Sequence, residues 1–193
     1  MLVGLSYLKF GNTPERPVLM EQCSELYCQI WKEPPWCEDF WVPEEVRQTL
    51  SKELELPGAV CVLAANEYTQ HPYTEYDDDK YCVLGFTWGY SVSQEDLRRI
   101  AGHEGLDFVF ENTPRAFYID ELGVDPGKRL KGVGRQLTTL LLDHARGQGH
   151  RRIVLRTDLR AVPARALYSH LGFTELDVKD AQHENRTYWL LDL

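Results

Sequence analysis

The chain has 193 residues, 43% of them hydrophobic and 26% charged, with a net charge of -9. That length supports one well-filled core, so a single domain over 1–193 is expected. The acidity argues against nucleic acid and anionic membrane as partners and favours cationic ones.

Residues 2–10 alternate loosely, with Val3, Leu5, Tyr7 and Phe10, and predict a first strand. The start, MLVGLSYLKFGN, has no basic leader before a long apolar stretch, and no run approaches bilayer-spanning length; a cytoplasmic protein is expected. MEQCSELYCQIW (20–31) places Cys23, Leu26, Tyr27, Ile30 and Trp31 at helical spacing. Two prolines in KEPPWCEDFWVP end that helix. PEEVRQTLSKELE then puts Pro43 at a first helical position with acids in the first turn, so a second helix starts there. GAVCVLAANE and YCVLGFTWGYS read as strands, joined by an acidic connection carrying Glu75, Asp77, Asp78 and Asp79. SQEDLRRIAG is a short helix capped by Ser93 and closed by Gly102. RAFYIDELGV is a strand. After it come a glycine-rich basic loop, an amphipathic helix at 134–147 and the buried strand RRIVLRT. PARALYSHLG forms a last helix, followed by the strands FTELDV and TYWLLDL. Five cysteines (Cys23, Cys28, Cys37, Cys61 and Cys82) show no CxxC spacing and no zinc pattern, so reduced thiols are expected and no metal.

The loop GVDPGKRLKGVGRQL (123–137) carries four glycines and four cations immediately before a helix. Helix N-termini leave backbone N–H groups unpaired and favour negative charge, so this segment suits a phosphate or pyrophosphate. The Walker A spacing fails here, since Arg129 follows the lysine. The dinucleotide pattern fails because Leu137 stands where its third glycine belongs.

VDPGKRLKGVG, with Arg129, Gly132 and Gly134, resembles the acyl-CoA-binding signature of the GNAT superfamily of N-acyltransferases. ARALYSHLGF, with Ala164, Tyr168, Gly172 and Phe173, resembles that superfamily's closing motif. The likeness covers most of 57–193, and ELYCQIWKEPPW resembles the first-helix region of some small-molecule acetyltransferases. Two departures stand out: Ala161 replaces a frequent asparagine, and the loop before Arg129 has one extra residue. The resemblance implies an α+β fold, with a mixed, mostly antiparallel sheet flanked by helices and a splayed central strand pair. It implies acetyl-CoA as donor, held by Leu122, Gly123, Val124, Arg129, Leu130, Lys131, Gly132, Val133, Gly134 and Arg135. It also implies a homodimer as a common arrangement.

Transfer of acetyl to an amine needs a base, an oxyanion donor and an acid for the departing sulfur. The resemblance casts Tyr168 as that acid; without it, Tyr168 reads as a core residue. Asp120 and Glu121 are the base candidates. Strand alternation puts them on opposite faces, so that only one meets the amine. Asp120 is preferred, because 118–134 resembles a stretch of some aminoglycoside N-acetyltransferases where the matching acid faces substrate. A water relay is the alternative to both. No base is evident beside Cys61 or Cys82, so direct transfer is favoured over an acyl-cysteine. The acceptor site is expected from Trp31, Trp36, Trp41, Trp88 and Tyr90, with Asp158 and the acidic connection, which suits a small cationic amine. Two other readings stand beside this one: a protein or peptide N-acetyltransferase, and a non-catalytic acyl-CoA-binding module.

Overall fold

The computed structural model describes residues 5–11, 16–67, 81–129 and 131–193. Its frame is a seven-stranded sheet: β1 (Leu5–Phe10), β2 (Val60–Glu67), β3 (Tyr81–Val92), β4 (Ala116–Val124), β5 (Arg152–Asp158), β6 (Thr174–Lys179) and β7 (Arg186–Asp192). The spatial order is β1-β2-β3-β4-β5-β7-β6. Every neighbouring pair is antiparallel except β4 and β5. Each expected strand is present; Val3 and the acidic connection with Glu75 and Asp77–Asp79 lie outside the described residues.

Five α-helices flank the sheet among the described residues: α1 (Pro17–Trp31), α2 (Pro43–Glu53), α3 (Gln94–Ala101), α4 (Val133–Gly147) and α5 (Val162–His170). Helix α1 starts three residues before Met20 because Pro17 occupies its first turn, the same signal that starts α2 at Pro43. Ser93 caps α3 in a reciprocal box with Asp96, and Gly102 closes it in the left-handed region. Alternation along β2 splits the core. Cys61 and Leu63 pack with α1 and α2 on one face, together with Phe86 and Trp88 of β3. Val60, Val62 and Ala64 pack with Leu137 and Leu141 of α4 on the other.

Two irregularities in the sheet shape the site. Strand β4 pairs with β5 only through Phe117–Ile119 against Ile153–Leu155, while it stays paired to β3 as far as Val124. Beyond Ile119 its β5-facing edge therefore opens. On the opposite edge, Trp88 pairs with Glu121 but Gly89 pairs with Ile119, which leaves Asp120 unmatched in a β-bulge. A Cβ at Gly89 would collide with the Tyr118 carbonyl oxygen, so the bulge needs glycine there.

Candidate active site

A cleft of about 300 Å³ opens along the unpaired edge of β4. Leu122, Gly123 and Val124 form its strand wall, and Gly132, Val133, Gly134 and Arg135 at the start of α4 form one end. Ala161, Pro163, Ala164 and Leu167 close it from α5. Gly132 sits at φ +84° as the residue before α4, and a Cβ there would meet nothing within 4 Å. The first intrahelical bond closes from Gln136 N–H to Gly132 O, so the preceding N–H groups carry no helical partner. Arg129 reaches over the same end, donating from Nε to the Val124 carbonyl (3.1 Å) and pairing with Glu33 (2.9 Å). Lys131 is exposed and donates to the Gly127 carbonyl; Leu130 lies outside the described residues. A bare strand edge meeting a bare helix N-terminus fits an extended amide-bearing arm that ends in phosphates.

A second cavity of about 330 Å³ abuts the same strand. Its acids are Glu38, Glu53, Asp120 and Glu121, and its aromatic walls are Tyr27, Trp31, Phe40, Trp41 and Trp88. Glu121 lines this pocket while Leu122, the next residue, lines the cleft. Asp120 and Glu121 both face the pocket. The expectation that alternation sends them to opposite faces is therefore corrected: the bulge at Asp120 breaks the alternation.

Each carboxylate has an aromatic donor. The Tyr27 hydroxyl donates to Glu121 (3.1 Å), the Tyr90 hydroxyl to Asp120 (3.3 Å) and the Trp88 indole N–H to Glu53 (2.7 Å). Glu53 also hydrogen-bonds Asp120. Burial raises all three acids, and the neighbouring negative charges add to it for Glu53 and Glu121. Glu53 is pushed up to about 8. At Asp120, the hydrogen bond from Glu53, the Arg156 charge and the Tyr90 hydroxyl pull back against burial. Arg156 is itself tied to Asp180 at 2.6 Å.

The remaining expected residues fall around these cavities. Trp36 lines the cleft and stacks on Trp31 (5.7 Å between ring centroids), so the two indoles form the partition between the sites. Asp158 is buried, bound to Arg160 at 2.8 Å, and lines a neighbouring cavity with Trp36, Glu38, His183 and Arg186 rather than the acid-floored pocket. Tyr168 is buried against Phe173 and Trp189 and lines neither main cavity. Burial and the Glu121 charge raise its phenol well above the ordinary value, which keeps its proton in place.

The model of the Acetyltransferase (GNAT) family matches residues 34–173. The chain belongs to the GNAT acetyltransferase family. Among curated relatives, this GNAT chain is 47% identical over 57 residues to the mycothiol acetyltransferase of Beutenbergia cavernae, covering 30% of this chain and 19% of that one. It is 35% identical over 80 residues to the N-alpha-acetyltransferase RimI of Mycobacterium tuberculosis, covering 42% and 49% respectively. It thus spans less than half the length of either relative. A chain in the crystal structure of the NatC complex bound to Gag peptide and CoA shares the fold, with a TM-score of 0.67, 16% identity and 98% of both chains covered.

Sequence reasoning passed over Glu53, Tyr27, Arg156 and Glu38 in this GNAT domain. Glu53 ends an acid-rich amphipathic helix and reads as solvated charge, and only the packing of α2 beside β3 brings it to Asp120. Cys23 and Cys61 are fully buried and burial pushes both thiols up, so neither is a ready nucleophile. No helix among the described residues is long and apolar enough to cross a membrane, and no cluster there could hold a metal ion.

Proposed function

We propose that this domain transfers an acetyl group from acetyl-CoA to a primary amine of a small cationic molecule, by direct attack in a ternary complex in the cytoplasm. The observation that carries the reading is the shared wall. One stretch of β4 presents its open edge to a phosphate-suited cleft and its carboxylates to an aromatic pocket. The acetyl-CoA thioester supplies the activated acyl group.

The N–H groups of Gly132–Arg135 take the pyrophosphate, with Arg129 beside them. The open edge of Leu122–Val124 holds the amide-bearing arm as an added strand would be held. A β4 amide on that edge donates to the oxygen where charge develops on the acyl carbonyl. Most amines are protonated at neutral pH, and Asp120 takes that proton: burial raises its carboxyl's hold on a proton, while Glu53, Arg156 and Tyr90 pull back towards the ionised form. Burial and neighbouring negative charge raise Glu121 beside it. Tyr168 keeps a proton for the departing sulfur.

The pocket's size and aromatic walls support a compact cationic acceptor. The RimI likeness supports a second reading, an N-terminal peptide amine. The test is thiol release from acetyl-CoA against polyamines, aminoglycosides, amino acids, thiol-sugar amines and N-terminal or lysine peptides. Turnover confined to small amines supports the proposal, and turnover confined to peptides overturns it in favour of the second reading. Acetyl-CoA binding with silence across the panel leaves an acyl-CoA-binding module.

A further inference from the structure

We propose that Glu53 is a positioning residue for the amine base: it shares one hydrogen with Asp120, holds that carboxylate in place, and keeps it ionised. This rests on the acyl-transfer reading above and adds a residue outside the family's motifs.

The geometry is a relay of three side chains from three elements, Trp88 of β3, Glu53 of α2 and Asp120 of β4. The Trp88 indole N–H fixes one Glu53 oxygen at 2.7 Å. Glu53 then bonds Asp120, whose Oδ2 also accepts from the Tyr90 hydroxyl at 3.3 Å. The indole can only donate, so Glu53 must accept from it, and the Glu53 carboxyl proton is free to point at Asp120. Two carboxylates in hydrogen-bond contact cannot both ionise cheaply, so one proton stays on the pair. Asp120 has the Tyr90 hydroxyl and the Arg156 charge on its side. Glu53 has burial and the Asp120 charge against it and the Trp88 indole for it; we assign the shared proton to Glu53, the assignment that the titration below tests.

The surrounding charged groups do not reverse this. Arg186 pairs with Glu38 at 2.9 Å, and Arg156 pairs with Asp180. Tyr27 and Tyr90 remain phenols because burial raises both. Glu121 accepts from Tyr27, and His183 lines the same pocket. In the reaction the amine proton passes to Asp120 and the Glu53 proton remains on Glu53, so the pair gains one proton, which Asp120 gives up to water before the next turnover.

The test reads the pair without any acceptor. The indole N–H signal of Trp88, identified by its loss in Trp88→Phe, is followed by NMR from acid to alkaline pH. We expect it to shift with a midpoint at about pH 8, to stop shifting in Glu53→Gln, and to shift at a lower pH in Asp120→Asn. A midpoint in the ordinary carboxylate range of about 4, or one that ignores Asp120→Asn or instead vanishes in His183→Gln, overturns the proposal. With an accepted amine, Glu53→Ala lowers kcat on the order of tenfold and leaves the KM for acetyl-CoA unchanged, and Glu53→Gln, which keeps both hydrogen bonds, recovers most of the loss. Equal losses in the two variants also overturn it. A silent amine panel with the expected titration sinks the acyl-transfer reading but not the pair, and turnover with a flat indole titration does the reverse.

Discussion

Replacing Glu53 by Gln should stabilise the protein increasingly as pH rises. In the unfolded chain Glu53 ionises near 4.5, and in the folded pocket its carboxyl is held up to about 8. A raised acid favours the folded state only in its protonated form. Its contribution is intact below the unfolded value and is lost as pH climbs through the window between the two. Each unit of difference is worth about 1.36 kcal/mol, so the full shift amounts to roughly 4.8 kcal/mol, of which about 3.5 kcal/mol is lost between pH 5 and pH 8. Glu53 is half-buried and solvent reaches it through the pocket, which brings the figure to about 2 kcal/mol. Gln keeps the bond from Trp88 and a hydrogen towards Asp120 but cannot ionise. The melting temperature of Glu53→Gln minus that of the wild type should therefore grow by about 4–8 °C from pH 5 to pH 8. Thermal unfolding followed by circular dichroism across that range is the assay. A difference that stays flat, or that shrinks as pH rises, would refute the linkage argument.

Gly132→Ala places a Cβ at φ +84° in space that no protein atom occupies. It should cost about 1 kcal/mol in chemical denaturation and weaken acetyl-CoA binding at least about tenfold in calorimetry, because the new methyl stands where the phosphates approach. Tyr168→Phe should lower kcat about tenfold or more while the acetyl-CoA Kd stays put, since the phenol is buried outside the cleft lining. A parallel loss of binding would instead make Tyr168 a packing residue.

The strand–loop–helix unit at β4 and α4 was legible because its signals are local: a strand pattern, glycines free of side chains, and an apolar stripe at helical spacing. The α3 cap was legible for the same reason, since Ser93, Asp96 and Gly102 act within one turn of the helix. The bulge at Asp120 was not, because it exists only in the register between β3 and β4, and Gly89 alone does not announce it. It turned two carboxylates that alternation would separate into neighbours in one pocket. Glu53 was hidden by the same kind of distance: its partners stand 35 and 67 positions away (88 − 53 and 120 − 53). The cleft's outer wall was partly legible, since Ala164 belongs to a motif and Pro163 marks a helix start, while Leu167 carries no signal of its own. The start of α1 at Pro17 could have been found by the rule applied at Pro43.

The central claim is that Asp120 does chemistry on an amine delivered beside an independently held acetyl-CoA. It is tested most directly by measuring Asp120→Asn in two assays on one preparation: turnover with the preferred amine, and acetyl-CoA affinity by calorimetry. The account predicts turnover down by about 100-fold or more with the acetyl-CoA Kd within about twofold of wild type. Turnover that survives the substitution, or an affinity that collapses with it, would contradict the division of this site into a donor cleft and an acid-floored acceptor pocket.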